Sequence, residues 1–119
     1  MDIRIKRVYD GVRPRDGCRV LVDRLWPRGI RKEDAAIDLW AKELAPSKDL
    51  REWFQHDPGK WDVFKDRYFK ELRRNPSVWR ALLERARQGR VTMVYAARDE
   101  DHNNAVALRE FMLDLHPSD

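Results

Sequence analysis

Two short runs constrain the fold of this chain more than anything else in it. Residues 20–22 read Val-Leu-Val, and residues 91–97 read Val-Thr-Met-Val-Tyr-Ala-Ala. Side chains along a strand point alternately to opposite faces, so a run that is apolar at consecutive positions needs cover on both. Strands are therefore predicted over 19–25 and 91–97 in the interior of a sheet. The long stretch between them is punctuated as helices. Leu50, Trp53 and Phe54 fall at i, i+3 and i+4 behind Ser47, which sits where an N-cap belongs. Asp57-Pro58 reads as the cap and first position of a second helix, striped by Trp61, Phe64, Tyr68 and Leu72. Asn75-Pro76 repeats that signature ahead of Trp79, Leu82, Leu83 and Ala86, and Gly89 closes the third helix. A last helix is predicted over about 104–115, with Ala105, Leu108, Met112 and Leu115 at helical spacing.

The remaining segments complete the outline. Ile3 and Ile5 alternate with Arg4 and Lys6, the pattern of a strand with one wet face or of an edge strand. Residues 10–17, with two Asp-Gly pairs and a proline, are turns. They are too few for a helical crossover, which leaves a hairpin or a truncated loop. Residues 36–47 suit a helix by propensity and a strand by the alternation of Ile37, Leu39 and Ala41; Pro46 ends either. The order of elements predicts a single α/β domain over residues 1–119, a small sandwich with a largely parallel central sheet and flanking helices.

Composition narrows the functional classes. Cys18 is the sole cysteine, so no intrachain disulfide or cysteine metal cluster can form, which favours a reducing, cytoplasmic setting. Its place ahead of a strand suits a small core residue, with Arg15 and Arg19 near enough in sequence to activate it otherwise. The first ten residues carry charge where a secretory leader would be apolar, and no apolar run nears the ~20 residues that span a bilayer. The histidines, at 56, 102 and 116, match no usual ligand spacing, so no metal is expected. Neither glycine-rich phosphate or dinucleotide loop is present, and no cofactor is expected. The net charge of +4 suits an anionic partner, either a small ligand or a nucleic acid; a solvated basic surface explains it equally well. Nothing in the sequence sets an oligomeric state.

Chemistry is expected where the central strands end. Val-Leu-Val runs into Asp23-Arg24, and Val-Tyr-Ala-Ala runs into Arg98-Asp99. In open α/β sheets ligands bind beyond the carboxyl ends of the strands. Parallel neighbours would bring Asp23, Arg24, Trp26 and Arg28 close to Tyr95, Arg98, Asp99, His102 and Asn103. Arg24 and Arg28 carry planar forks suited to phosphate or carboxylate, with Arg98 beside them. Trp26 and Tyr95 offer rings as walls. The amides that open the last helix, at Asn103 and Asn104, add an anion-binding element. His102 is placed as a general acid or base, with Asp99 or Asp23 to orient it or to act alone. The alternative is structural: Arg24 pairs with Asp99, or Arg98 with Asp23, to lock the strand ends, and an asparagine merely caps the helix. His56 and Asp57, between two helices, become functional only if their loop closes over the strand ends as a lid.

Several stretches together resemble the DUF488 family, and specifically its short YeaO-like branch. They are KRVYD (6–10), RVLVDRLWPRGI (19–30), WAKELAPS (40–47), LREWFQHDPGKW (50–61), the Phe64–Leu72 helix and VTMVYAARDEDHNNAVAL (91–108). The resemblance implies an α/β fold with VLVDR and TMVYAARD as central strands and WAKELAPS as an extended segment near the same sheet. It implies no reaction, since the family is named for unknown function. Longer relatives carry cysteines near the last strand where this chain has Tyr95-Ala96-Ala97-Arg98-Asp99 and then His102-Asn103-Asn104, so thiol chemistry does not carry over. The leading expectation is an enzyme, hydrolytic or group-transferring, acting on a small anionic ligand through His102, Asp99 and Asp23. The alternative is a non-catalytic module that binds nucleic acid or protein.

Overall fold

The computed structural model describes residues 1–115; His116 lies outside the described residues. Four strands form one sheet: β1 (Ile3–Arg7), β2 (Cys18–Leu21), β3 (Leu39–Trp40) and β4 (Val91–Tyr95). Their order is β1-β4-β2-β3 and every pair is parallel. Val91 faces both Ile3 and Cys18, so β4 lies between the two strands that come first in the chain. The α/β class, the largely parallel sheet and the central place of β2 and β4 agree with the sequence. Both strands end earlier than their apolar runs, because the chain leaves the ladder after Val22 donates its N–H to Val94.

Five helices accompany the sheet: α1 (Lys32–Ala35), α2 (Lys48–Phe54), α3 (Trp61–Arg74), α4 (Pro76–Gln88) and α5 (Asn104–Leu115). The Ser47 hydroxyl caps α2 by accepting the Leu50 N–H at 3.2 Å. Asp57-Pro58 opens a 3-10 turn, Pro58–Lys60, that runs directly into α3. At the α3–α4 corner Pro76 takes the expected first position, but the Asn75 side chain makes no capping bond. The Trp79 indole N–H holds that corner instead, donating to the Leu72 carbonyl at 2.8 Å. Among the described residues no helix is long and apolar enough to cross a membrane.

The strand alternation sorts the core into two clusters. Ile3, Val20, Val22, Val91, Met93 and Tyr95 pack against the apolar stripes of α2–α5 in one large cluster. Val8, Leu21 and Val94 point the other way and form a small one. Among the described residues no long helix contributes to that second cluster. Trp26, Ile30 and Ile37 from irregular chain and Trp40 of β3 do so. The hairpin alternative for residues 8–17 is therefore overturned. β1 and β2 are parallel with β4 between them, and the segment returns across the sheet through two 3-10 turns. Asp16 anchors it, accepting from Lys6 Nζ at 3.1 Å and from Arg19 Nη1 at 2.7 Å, while its carbonyl accepts from Thr92 Oγ1 at 2.7 Å. Gly17 follows at φ +67, and a Cβ there would lie 2.5 Å from the Arg90 carbonyl oxygen. Residues 36–47 resolve into β3 and a 3-10 turn, Lys42–Leu44, rather than a helix.

Candidate functional site

A cavity of about 740 Å³ lies beyond the carboxyl ends of β2 and β4, within the size range of small-molecule sites. Its rim and walls include Asp23, Arg24, Trp26, Arg28, Arg98, Asp99 and Asn103. His56 also lines it, from the α2–α3 corner. Tyr95, His102 and Asp57 do not.

Asp23 is the most heavily constrained of these groups. Its Oδ2 accepts the Ala96 N–H at 2.9 Å, and its Oδ1 accepts from Asn104 Nδ2 at 3.1 Å. Its carbonyl accepts the Trp40 indole N–H at 2.9 Å. One residue thus ties together the ends of β2 and β4, the start of α5 and the β3 edge. Burial pushes its carboxyl above the ordinary value, and the bonds from Asn104 and Ala96, with His56 and Arg51 nearby, oppose that without overcoming it.

Asp99 is spent differently. It accepts the backbone N–H groups of Asp101 at 2.9 Å and His102 at 3.1 Å, the geometry of an Asx turn. The same carboxylate lies 2.9 Å from His102 Nδ1. The Asp101 N–H above all holds Asp99 below its ordinary value; burial opposes it, and the His102 side chain and N–H add to the lowering. The His102 ring meets Trp61 edge to face, with centroids 5.4 Å apart. The expected aspartate–histidine pair therefore exists as a contact, with the imidazole turned towards α3. Tyr95 is buried in the helix-side core, where burial raises its hydroxyl pKa.

The arginines show the opposite pattern. Arg24, Arg28 and Arg98 are exposed at the cavity, and among the described residues their side chains make no hydrogen bond or ion pair. The ion pairs considered as a structural lock, Arg24 with Asp99 and Arg98 with Asp23, are not formed. Arg51 reaches the same cavity from α2 and uses its Nε on the Pro46 carbonyl at 3.2 Å.

Asn103 is the N-cap of α5: its Oδ1 accepts the Val106 N–H at 3.0 Å, and its Nδ2 donates to the Asp99 carbonyl at 2.9 Å. Trp26 serves core and cavity at once. Its indole N–H donates to the Ile30 carbonyl at 2.6 Å, and its ring packs edge-on against Trp40. Asp57 accepts the Gly59 N–H at 2.9 Å and so shapes the turn. Gln55 and His56 both take left-handed backbone, at φ 47 and 55, a conformation that costs an L-residue roughly 1–2 kcal/mol. That double kink is what brings His56 to the cavity.

Sequence reasoning missed Tyr9, Arg51 and Phe54 as cavity residues, and gave Asn104 only an anion-binding amide at the helix start, not its side-chain bond to Asp23. A signal existed for each. β1 is parallel to β4, so the strand-end rule applied to it leads to Tyr9. Arg51 precedes Phe54 by three residues and so shares its helix face.

Comparison with known proteins supplies the family. The model described as the inactive DUF488-N3 subclade matches residues 2–118. The uncharacterized protein YeaO of Escherichia coli (strain K12) is 39% identical over 115 residues, covering 97% of this chain and all of the relative. An uncharacterized protein of Mycobacterium tuberculosis (strain H37Rv) is 42% identical over 110 residues, 92% of each chain. No solved structure gives a significant match. A family model spanning almost the whole sequence, and a full-length relative at this identity, place the chain in the DUF488 family, in its short YeaO-like branch.

Proposed function

We propose that this protein binds a small anionic ligand, bearing phosphate or carboxylate, in the cavity at the strand ends. The observation that carries the reading is the set of three exposed arginines, Arg24, Arg28 and Arg98, around one cavity and without protein partners among the described residues. A guanidinium fork is shaped for bidentate bonds to such groups. Trp26 and Tyr9 wall the ligand, and Asp23 presents a polar group at the junction of the strands. The ligand is held without turnover. His102 is bonded to Asp99, faces Trp61 and lies outside the cavity lining, so it is not aimed as an acid or base at a bound molecule; Asp99 lines the cavity with its carboxylate engaged by its own loop. The description of the matching family model as inactive supports the same side.

Titration calorimetry with pyrophosphate and phenyl phosphate tests this. Wild type binds, and the triple variant Arg24→Gln/Arg28→Gln/Arg98→Gln loses at least tenfold in affinity with its Tm unchanged. Equal binding by the two proteins defeats the reading. Release of phosphate from phenyl phosphate by wild type, abolished in Asp23→Asn, would instead establish the catalytic alternative.

A further inference from the structure

We propose that the loop-covered face of the sheet is a docking surface for a polynucleotide. The first observation is how charge divides along the chain. Residues 1–32 hold ten basic and four acidic side chains, a net of +6, whereas residues 33–119 hold fifteen basic and seventeen acidic, a net of −2. The whole positive excess thus lies in the segment that forms β1, β2 and the two loops laid over the second face.

The second observation is which of these charges are already used. Lys6 and Arg19 are committed to Asp16. Arg13, Arg15, Arg24, Arg28, Arg31 and Lys32 are exposed, and of their side chains only that of Arg31 makes an ion pair or hydrogen bond among the described residues, with Asp34 at 3.1 Å. Asp10 is the one exposed acid within the same two loops; Glu33, Asp34 and Asp38 border them on the β3 side. Buried ion pairs therefore do not account for the arginine content of this face.

The third observation is the spread of these charges. Arg15 lies at the amino end of the strands, where its carbonyl accepts from Arg90 at 2.8 Å, just ahead of β4. Arg24 and Arg28 lie beyond the carboxyl ends. A five-residue strand is about 17 Å long, so the surface engages a row of phosphates rather than one. Five of the six exposed cations are arginines, whose forks suit phosphate oxygens and whose planes stack on bases. Tyr9 supplies a further ring. It is 44% exposed, its hydroxyl is tied to the Arg28 carbonyl at 2.8 Å, and the Arg7 guanidinium lies 4.9 Å from its centroid. Exposed Tyr9, Val12 and Leu25 are interspersed singly among the arginines, not gathered into the continuous apolar face that a bilayer takes.

The test uses residues remote from the cavity. Arg13, Arg15 and Lys32 do not line it, so this inference and the small-ligand reading fail separately. Binding of a fluorescein-labelled oligonucleotide to the full chain is followed by anisotropy between about 50 and 200 mM salt. Wild-type affinity is expected to fall steeply with salt. Arg13→Gln/Arg15→Gln/Lys32→Gln is expected to weaken binding tenfold or more at low salt and to flatten the log–log slope by roughly 2 to 3, about one per phosphate contact. The control Lys70→Gln/Arg73→Gln/Arg74→Gln on α3 removes as many charges from the helix side and should change neither. Equal losses in both variants would overturn the proposal. So would tight binding to phosphatidylserine vesicles with none to the oligonucleotide.

Discussion

On the helix-backed face, Val20, Val22, Val91 and Met93 are covered by aromatic and aliphatic side chains from four helices. On the loop-backed face, Leu21 and Val94 form a small apolar cluster with Val8, covered by Trp26, Ile30 and Ile37 from irregular chain and by Trp40 of β3. Asp16, Lys6, Arg19 and Thr92 occupy its amino-terminal half. The difference shows how a small domain divides its labour. Dense apolar burial on one side supplies the driving force for folding. The other side needs only enough cover to keep water off the sheet, and so its loops are left to carry exposed arginines. The candidate cavity sits where the two regimes meet, floored by core residues such as Phe54 and Phe64 and rimmed by loop arginines.

Five substitutions break or sharpen this contrast, measured by urea unfolding; four are ordered by expected cost, and Asp23→Asn is read against Asp16→Asn by its pH dependence. Phe64→Ala empties the middle of the aromatic run formed with Phe54, Trp61 and Tyr68 and should cost about 3–5 kcal/mol. A loss below about 1 kcal/mol would mean that the helix side is not the stabilising half. Asp16→Asn removes the charge that Arg19 and Lys6 share on the loop side and should cost roughly 1.5–3 kcal/mol. Burial opposes ionisation of Asp16, but the Arg13 N–H, Lys6 and Arg19 together hold its carboxyl below the ordinary value. Its stabilisation is therefore complete above the unfolded carboxyl pKa and is lost as pH falls through the folded one. The gap between wild type and variant should narrow on acidification. Asp23 has the opposite sign. Its carboxyl is raised, chiefly by burial, so its protonated form favours folding at low pH and that contribution disappears as pH climbs through the folded pKa. Wild type should lose ground to Asp23→Asn as pH rises from acid to neutral. Third, Asn103→Ala removes the α5 cap and should cost about 1 kcal/mol. Last, Arg24→Gln should change stability by less than about 0.5 kcal/mol, since the side chain makes no hydrogen bond or ion pair among the described residues. A larger cost would reassign Arg24 to the frame of the fold.

Much of the helix side was legible in the sequence, because its physics is periodic. Phe64, Tyr68 and Leu72 repeat at helical spacing and are buried together on α3. The end of α2 was only half legible. Gln55 and His56 carry no sequence mark of left-handed backbone, which tertiary packing imposes on them. The return of residues 8–17 across the sheet could not be told from a hairpin, since both are short and rich in turn residues. What decides is the insertion of β4 between β1 and β2, an event set some seventy residues later in the chain. At the candidate site, the strand-end rule placed Asp23, Arg24, Arg28, Arg98 and Asp99 around one cavity, but it could not weigh partners. Asp23 has several, Asp99 turns to its own loop, and the arginines have none among the described residues.

The strand order also sets a schedule for assembly. β2 meets β3 through the pairs Val20–Leu39 and Leu21–Trp40, a separation of only 19 residues. β1 meets its one neighbour among the described residues through Ile3–Val91, across most of the chain. During synthesis the segment that will become β1 is made early, yet no ladder exists for it until β4 has emerged. Closing so long a loop slows the final docking step. Until then Ile3 and Ile5 wait uncovered beside Arg4, Lys6 and Arg7, charges that keep a waiting strand from pairing with the wrong partner.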